Sequence, residues 1–168
     1  MKNNTFILLF TLLLVGCNSP NTMEEVFHNN MKSNKDVDDY KIVEIVREDN
    51  IIIFTSHSEN EAINEYHNNE QPKLAYFTRH NDEWIWSKTG ECPLDKWSAN
   101  LVGEPYLWCG TLTEPRHEKV VVGDNNAKII EMSEAVSRTW YHLSEKNNEE
   151  VKVILKDGSE EWLKEVRN

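Results

Sequence analysis

Apolar side chains recur along this chain in three rhythms, and each change of rhythm marks an element. Residues 6–15 are apolar throughout except for Thr11. Val26, Phe27 and Met31 then fall three, four and eight residues beyond Met23, a spacing that lines up side chains on one face of a helix. Thr22 is followed three residues later by Glu25, and a hydroxyl and carboxylate so placed satisfy the orphan amide groups at a helix start. The pattern predicts a short amphipathic helix over residues 23–33. Its polar side carries Glu24, Glu25, His28 and Asn29 rather than the basic band of a membrane-surface helix, so the stripe is expected to pack on the body of the protein.

From Tyr40 the period shortens to two. Residues 40–46 and 51–55 are rich in β-branched side chains and flank the polar stretch Arg47-Glu48-Asp49-Asn50, which reads as a hairpin. Residues 73–79 and 83–88 repeat the arrangement around His80-Asn81-Asp82, with Trp84 and Trp86 two apart and hence on one face of their strand. Between the hairpins, residues 58–71 carry a weak capping pattern at Ser58 and Glu61 ahead of Ala62, Ile63 and Tyr66; a helical turn and a loop both fit. Residues 91–105 collect Cys92, Pro93, Gly103 and Pro105 and read as a turn-rich connector. Beyond it, strands are expected at 106–113, 119–122, 127–131, 139–143, 151–155 and 161–166, with Asp157-Gly158 the strongest hairpin signal.

The expected fold class is therefore α+β: an N-terminal helix with an antiparallel four-stranded meander, followed by an all-β antiparallel region of sandwich-like or open-barrel type. The corresponding division is 23–90 for helix and meander, 91–105 for the connector and 106–168 for the β-rich region. Six tryptophans, five tyrosines and five phenylalanines supply enough large apolar surface to offset a strongly charged exterior, so the chain should fold.

Charge narrows the partners. Aspartate and glutamate number 29 against 18 lysines and arginines, and the formal net charge is −11. Such a surface repels phosphate backbones and anionic head groups, and no basic stripe interrupts it, so nucleic acid is not an expected partner.

The first apolar run has a separate meaning. Lys2 precedes it, and about 20 apolar residues are needed to cross the hydrocarbon core, so a run of this length matches a signal-peptide h-region better than a membrane span. It ends in Leu14-Val15-Gly16-Cys17 and a polar stretch, Asn18-Ser19-Pro20-Asn21. Leu14 to Cys17 resemble the lipobox of bacterial lipoproteins, and the whole layout resembles small cell-envelope lipoproteins of Gram-positive bacteria. The resemblance implies that the Cys17 thiol takes a diacylglyceryl group, that cleavage follows Gly16, and that residues 17–22 form a lipidated tether. A thiol is the best nucleophile near neutral pH for such acyl-glyceryl transfer. Two or more acyl chains hold a protein stably to a bilayer, whereas one holds it marginally. Loss of Lys2 would leave 17 basic against 29 acidic side chains, a mature net charge of −12.

With Cys17 lipidated, Cys92 and Cys109 remain as a pair, and outside the cytoplasm an even remainder favours a disulfide over free thiols. Zinc would need two further ligands, and His117 alone does not supply them. The six histidines lie at 28, 57, 67, 80, 117 and 142, never three or four apart. Asp36, Asp38 and Asp39 lack the glycine and terminal glutamate of a calcium loop, and neither a Gly-x-Ser-x-Gly elbow nor a phosphate-cradling glycine loop occurs. A thiol dyad of Cys92 or Cys109 with His117 is less economical than the disulfide. No catalytic residue, cofactor or metal is expected. Trp84, Trp86, Trp97 and Trp108 surround the connector and are candidate contacts for a partner, although most tryptophans of a small β domain fill core. The expectation is a membrane-anchored extracytoplasmic lipoprotein without catalytic activity that binds an envelope protein or cell-wall polymer; the alternative is an extracytoplasmic hydrolase of wall or peptide substrates.

Overall fold

A computed structural model describes residues 22–57, 71–131 and 137–166. The helix, α1 (Met23–Ser33), occupies the predicted span, and its capping box is formed: the Thr22 hydroxyl accepts from the Glu25 N–H at 3.1 Å while the Thr22 N–H donates to the Glu25 carboxylate at 3.2 Å. Met23, Phe27 and Met31 are buried one turn apart, as the stripe requires.

The meander is also present. Strands β1 (Asp39–Val46), β2 (Ile51–His57), β3 (Lys73–His80) and β4 (Glu83–Glu91) form an antiparallel sheet in chain order. A 3-10 turn at Arg47–Asp49 joins the first two, with Asn50 in the left-handed region at φ 56°. Asn81 and Asp82 at φ 48° and 65° close the hairpin between β3 and β4, and two consecutive left-handed residues match the twist of the flanking strands. The region 58–70, where a helical turn and a loop both fitted the sequence, lies outside the described residues.

The continuous apolar run Ile51-Ile52-Ile53-Phe54 is buried at every position, because this sheet is covered on both faces. Ile52 and Phe54 join Ala75 and Phe77 beneath α1, whose Met23, Phe27 and Met31 complete that cluster. Ile51 and Ile53 join Leu74 and Tyr76 on the other face and meet Cys92, Leu107, Cys109 and Tyr141.

Leu107, Cys109 and Tyr141 belong to a second sheet, of β5 (Lys96–Asn100), β6 (Tyr106–Leu112), β9 (Lys128–Glu131), β10 (Arg138–Ser144) and β13 (Lys164–Glu165) in the order β13-β5-β6-β10-β9. It is buried on both faces as well. Leu107, Cys109 and Tyr141 face the meander, while Trp108, Leu112 and Trp140 face a third sheet. That third sheet runs β12-β11-β7-β8, from β7 (His117–Val122), β8 (Asn125–Asn126), β11 (Val151–Leu155) and β12 (Glu160–Trp162), and contributes Val120, Val122, Val151 and Val153. Gly110 lies directly opposite Trp140, and a side-chain carbon added there would stand 2.8 Å from the indole nitrogen. The glycine is the space the ring fills.

Three stretches pair differently from the sequence expectation. Strand β5 lies inside residues 91–105, which carried only turn signals. Residues 119–131, expected as one hairpin, are split: β8 stays with β7 while β9 crosses to the second sheet, the break falling at Ala127, whose N–H donates to Val120 O at 2.8 Å. Residues 161–166 divide likewise, with β12 on β11 through the Asp157-Gly158 turn and β13 pairing in parallel with β5. In both cases a short strand switches sheets, which local alternation does not encode.

Candidate functional site

Cys92, just past β4, and Cys109, in the middle of β6, form a disulfide with Cα atoms 5.0 Å apart. Both are fully buried. The bond crosslinks the meander to the second sheet, and Cys92 is fixed on each side: its N–H donates to Pro72 O at 3.0 Å and its carbonyl accepts from Thr111 Oγ1 at 3.0 Å. Neither sulfur is a free nucleophile, so a thiol dyad with His117 does not form. His117 is itself buried, its Nδ1 4.0 Å from an Asp95 oxygen and its Nε2 3.8 Å from a Glu114 oxygen. Among the described residues, no three His, Cys, Asp or Glu side chains gather closely enough to hold a metal ion.

The four tryptophans around the connector do not share a surface. Trp86 stacks on Phe27 at 5.3 Å and donates its indole N–H to Lys88 O at 2.9 Å. Half-buried Trp84 has the Arg79 guanidinium 5.7 Å from its ring centroid. Trp97 lies 5.0 Å from Trp108 and donates to Leu163 O at 3.0 Å. Trp108 is only 1% exposed and offers a partner nothing. One pair belongs to the helix-covered face of the first sheet, the other to the apolar layer between the second and third. Burial of large aromatic area in these layers accounts for their positions.

A polar bridge joins the first two sheets at one end. The buried Tyr141 hydroxyl donates to Asp49 Oδ2 at 2.5 Å, and Lys128 Nζ reaches the same oxygen at 3.1 Å and Glu48 at 2.5 Å. Burial, then the bond to Asp49, pushes the Tyr141 phenol far above the ordinary tyrosine range.

Among the described residues, clefts open on two parts of the surface. The first, about 590 Å³, runs between the edge of β4 and β5. Its walls are tied together: the Ser98 hydroxyl donates to Glu91 O, and Asn100 Nδ2 donates to Thr89 O at 3.0 Å. Lys88, 7% exposed, donates its ammonium to Val102 O and to Gly103 O, the latter at 2.6 Å, and burial lowers its pKa. This clasp holds the loop that displays Val102 at 81% exposure.

The second cleft, about 650 Å³, lies at the outer surface of the third sheet between the β7–β8 turn, the loop before β11 and Trp162. Cross-strand pairing sets Trp162 opposite Lys152, Lys152 opposite Val121 and Val121 opposite Asn126. Paired residues share a face, and the neighbouring Val120, Val122 and Val153 take the inner one, so this row points to solvent. Trp162 is 63% exposed; each of the other five tryptophans is buried or half-buried. Sequence pattern alone places Trp162 in the closing strand and does not single it out. Its neighbour Leu163 is equally apolar, and only the pairing of β12 with β11 decides which of the two faces inward.

Cys17 lies outside the described residues. Among those described, no helix is long and apolar enough to cross a membrane. No family model, curated protein or solved structure matches the chain.

Proposed function

We propose that this chain is a lipid-anchored extracytoplasmic binding module whose first 16 residues are removed, whose residues 17–22 tether it to the bilayer through a diacylglycerol on Cys17, and whose β-rich region, residues 106–168, forms together with β5 a small, mainly antiparallel sandwich. The observation that carries the reading is the pairing of Cys92 with Cys109 alongside Leu14-Val15-Gly16-Cys17. A buried structural disulfide belongs in an oxidising compartment, and using two of three cysteines in it leaves Cys17 as the thiol available for lipid. The excess of acidic side chains supports attachment by acyl chains rather than by an adhesive face. The two strand crossings between the second and third sheets support the sandwich. Tyr141, whose phenol burial and the Asp49 bond hold far above the ordinary range, is walled in between sheets and lines neither of the two clefts described above, and Lys88, whose pKa burial lowers, is committed to the Val102 and Gly103 carbonyls; both facts support binding over a hydrolase with a tuned acid or base.

The test is fractionation of cells expressing the full chain or its Cys17→Ala variant during labelling with radioactive palmitate. The unaltered chain should carry label and sediment with membranes, whereas C17A should be unlabelled and recovered in the soluble fraction. Membrane retention of C17A, or an unlabelled parent, refutes the anchor.

A further inference from the structure

The geometry points to a glycan-binding subsite in the Trp162 cleft, built to hold neutral pyranose rings. The proposal rests on the binding-module reading and names the ligand class it would serve. Folding gains nothing by exposing an indole, since burying apolar surface is what stabilises the protein, and isolated surface apolar residues call for no explanation. Trp162 is not isolated in that sense. It forms one wall of a cleft whose volume of about 650 Å³ falls within the range of about 300–1,000 Å³ usual for small-molecule sites.

The remaining walls are polar and mixed in type. Asp124, Glu149 and Glu150 supply acceptors, Lys146 supplies donors, and the exposed Asn148 amide supplies both. Lys152 is already held by Glu160, both of whose oxygens lie 3.0 Å from its ammonium. Glu149 comes close enough to Gly123 that a side-chain carbon there would stand 2.5 Å from Oε1, and its Oε2, shielded from solvent, has no hydrogen-bond partner among the described residues. The contact with Gly123 seats Glu149 against the β7–β8 turn as part of the cleft wall.

A flat aromatic face beside clustered donors and acceptors matches the two sides of a sugar. The C–H face of a pyranose is apolar and slightly positive, complementary to the negative face of an indole, while its equatorial hydroxyls both donate and accept. Charge selects among glycans. Three carboxylates against one uncommitted ammonium, on a chain of net charge −11, repel phosphate- or carboxylate-bearing polymers, leaving neutral hexose or N-acetylhexosamine chains.

The experiment titrates the full chain, purified with its lipid in detergent micelles, with a β-1,4-linked N-acetylglucosamine tetramer, cellotetraose and poly(glycerol phosphate), by calorimetry. Saturable binding of at least one neutral tetramer is expected, weakened at least about tenfold in Trp162→Ala, less in Trp162→Phe, and weakened also in Asn148→Ala. Circular dichroism should show all three variants folded, since these side chains are exposed. The inference is overturned if neither tetramer binds, if W162A binds as tightly as the parent, or if the polyphosphate is preferred. Because the Cys17 test reads membrane attachment and this one reads sugar affinity, either proposal can fail while the other stands.

Discussion

Reducing the Cys92–Cys109 bond is a perturbation whose size follows from chain geometry. The two residues are 17 apart in sequence, and closing a loop of that length removes conformational entropy from the unfolded chain worth about 3 kcal/mol at 25 °C. In the folded protein Cys92 is already held by hydrogen bonds to Pro72 and Thr111, Cys109 by strand pairing opposite Tyr141 and Ser98, and both by the cluster around Leu107 and Tyr141. Reduction should therefore act through the unfolded state and leave the fold in place. For a domain near 150 residues, each kcal/mol moves Tm by about 2–4 °C, so the reduced protein should melt about 6–12 °C lower. The assay is far-UV circular dichroism of the full chain with and without a phosphine reductant, with thiols counted after unfolding. Both sulfurs are fully buried, which adds a kinetic signature: reduction in native buffer should wait on opening and accelerate with added urea. Joint Cys92→Ala and Cys109→Ala replacement should destabilise further, because lost packing adds to the lost crosslink. A sample with both thiols titrated free that melts within about 2 °C of the oxidised protein refutes the argument. So does an untreated sample in which Cys92 and Cys109 both titrate as thiols.

Two further substitutions test the layers separately. Phe27→Ala removes a fully buried ring that lies 4.9 Å from Phe54 and stacks on Trp86; a loss of about 3–5 kcal/mol is expected in urea unfolding, and a shift below about 1 kcal/mol would mean that α1 contributes little to the fold. Tyr141→Phe tests the polar bridge through pH. Burial, then the Asp49 bond, keeps the folded Tyr141 protonated well above the usual range, whereas the unfolded phenol titrates near about pH 10. Above that pH the unfolded chain binds fewer protons than the folded one, so stability falls as pH rises past about 10 and the group contributes nothing to pH dependence at neutrality. Y141F should lose about 1–2 kcal/mol at pH 7 yet show a shallower decline between about pH 10 and 11; the slope left over includes Tyr76, whose pKa burial also raises. Equal alkaline slopes in parent and variant would refute the assignment.

Local sequence signals determined much of this molecule. The helix start was legible because Thr22 and Glu25 satisfy each other's backbone without help from elsewhere. The meander was legible because alternation, Asn81-Asp82 and the turn at residues 47–50 act over a few residues, and the disulfide because two cysteines remained after Cys17. Sheet membership was decided only in three dimensions. Gly110 gave no sign of the Trp140 ring that fills its place, and the divisions at Ala127 and after Trp162 depend on partners far along the chain. The same holds for the tryptophans. In sequence all six are equally large and apolar, but a strand's inward face is fixed by what its partner strand already buries. Pairing with β11 gave Val153 the interior and left Trp162 opposite Lys152 in the solvent, while Trp108, flanked by two sheets, had no face left to show.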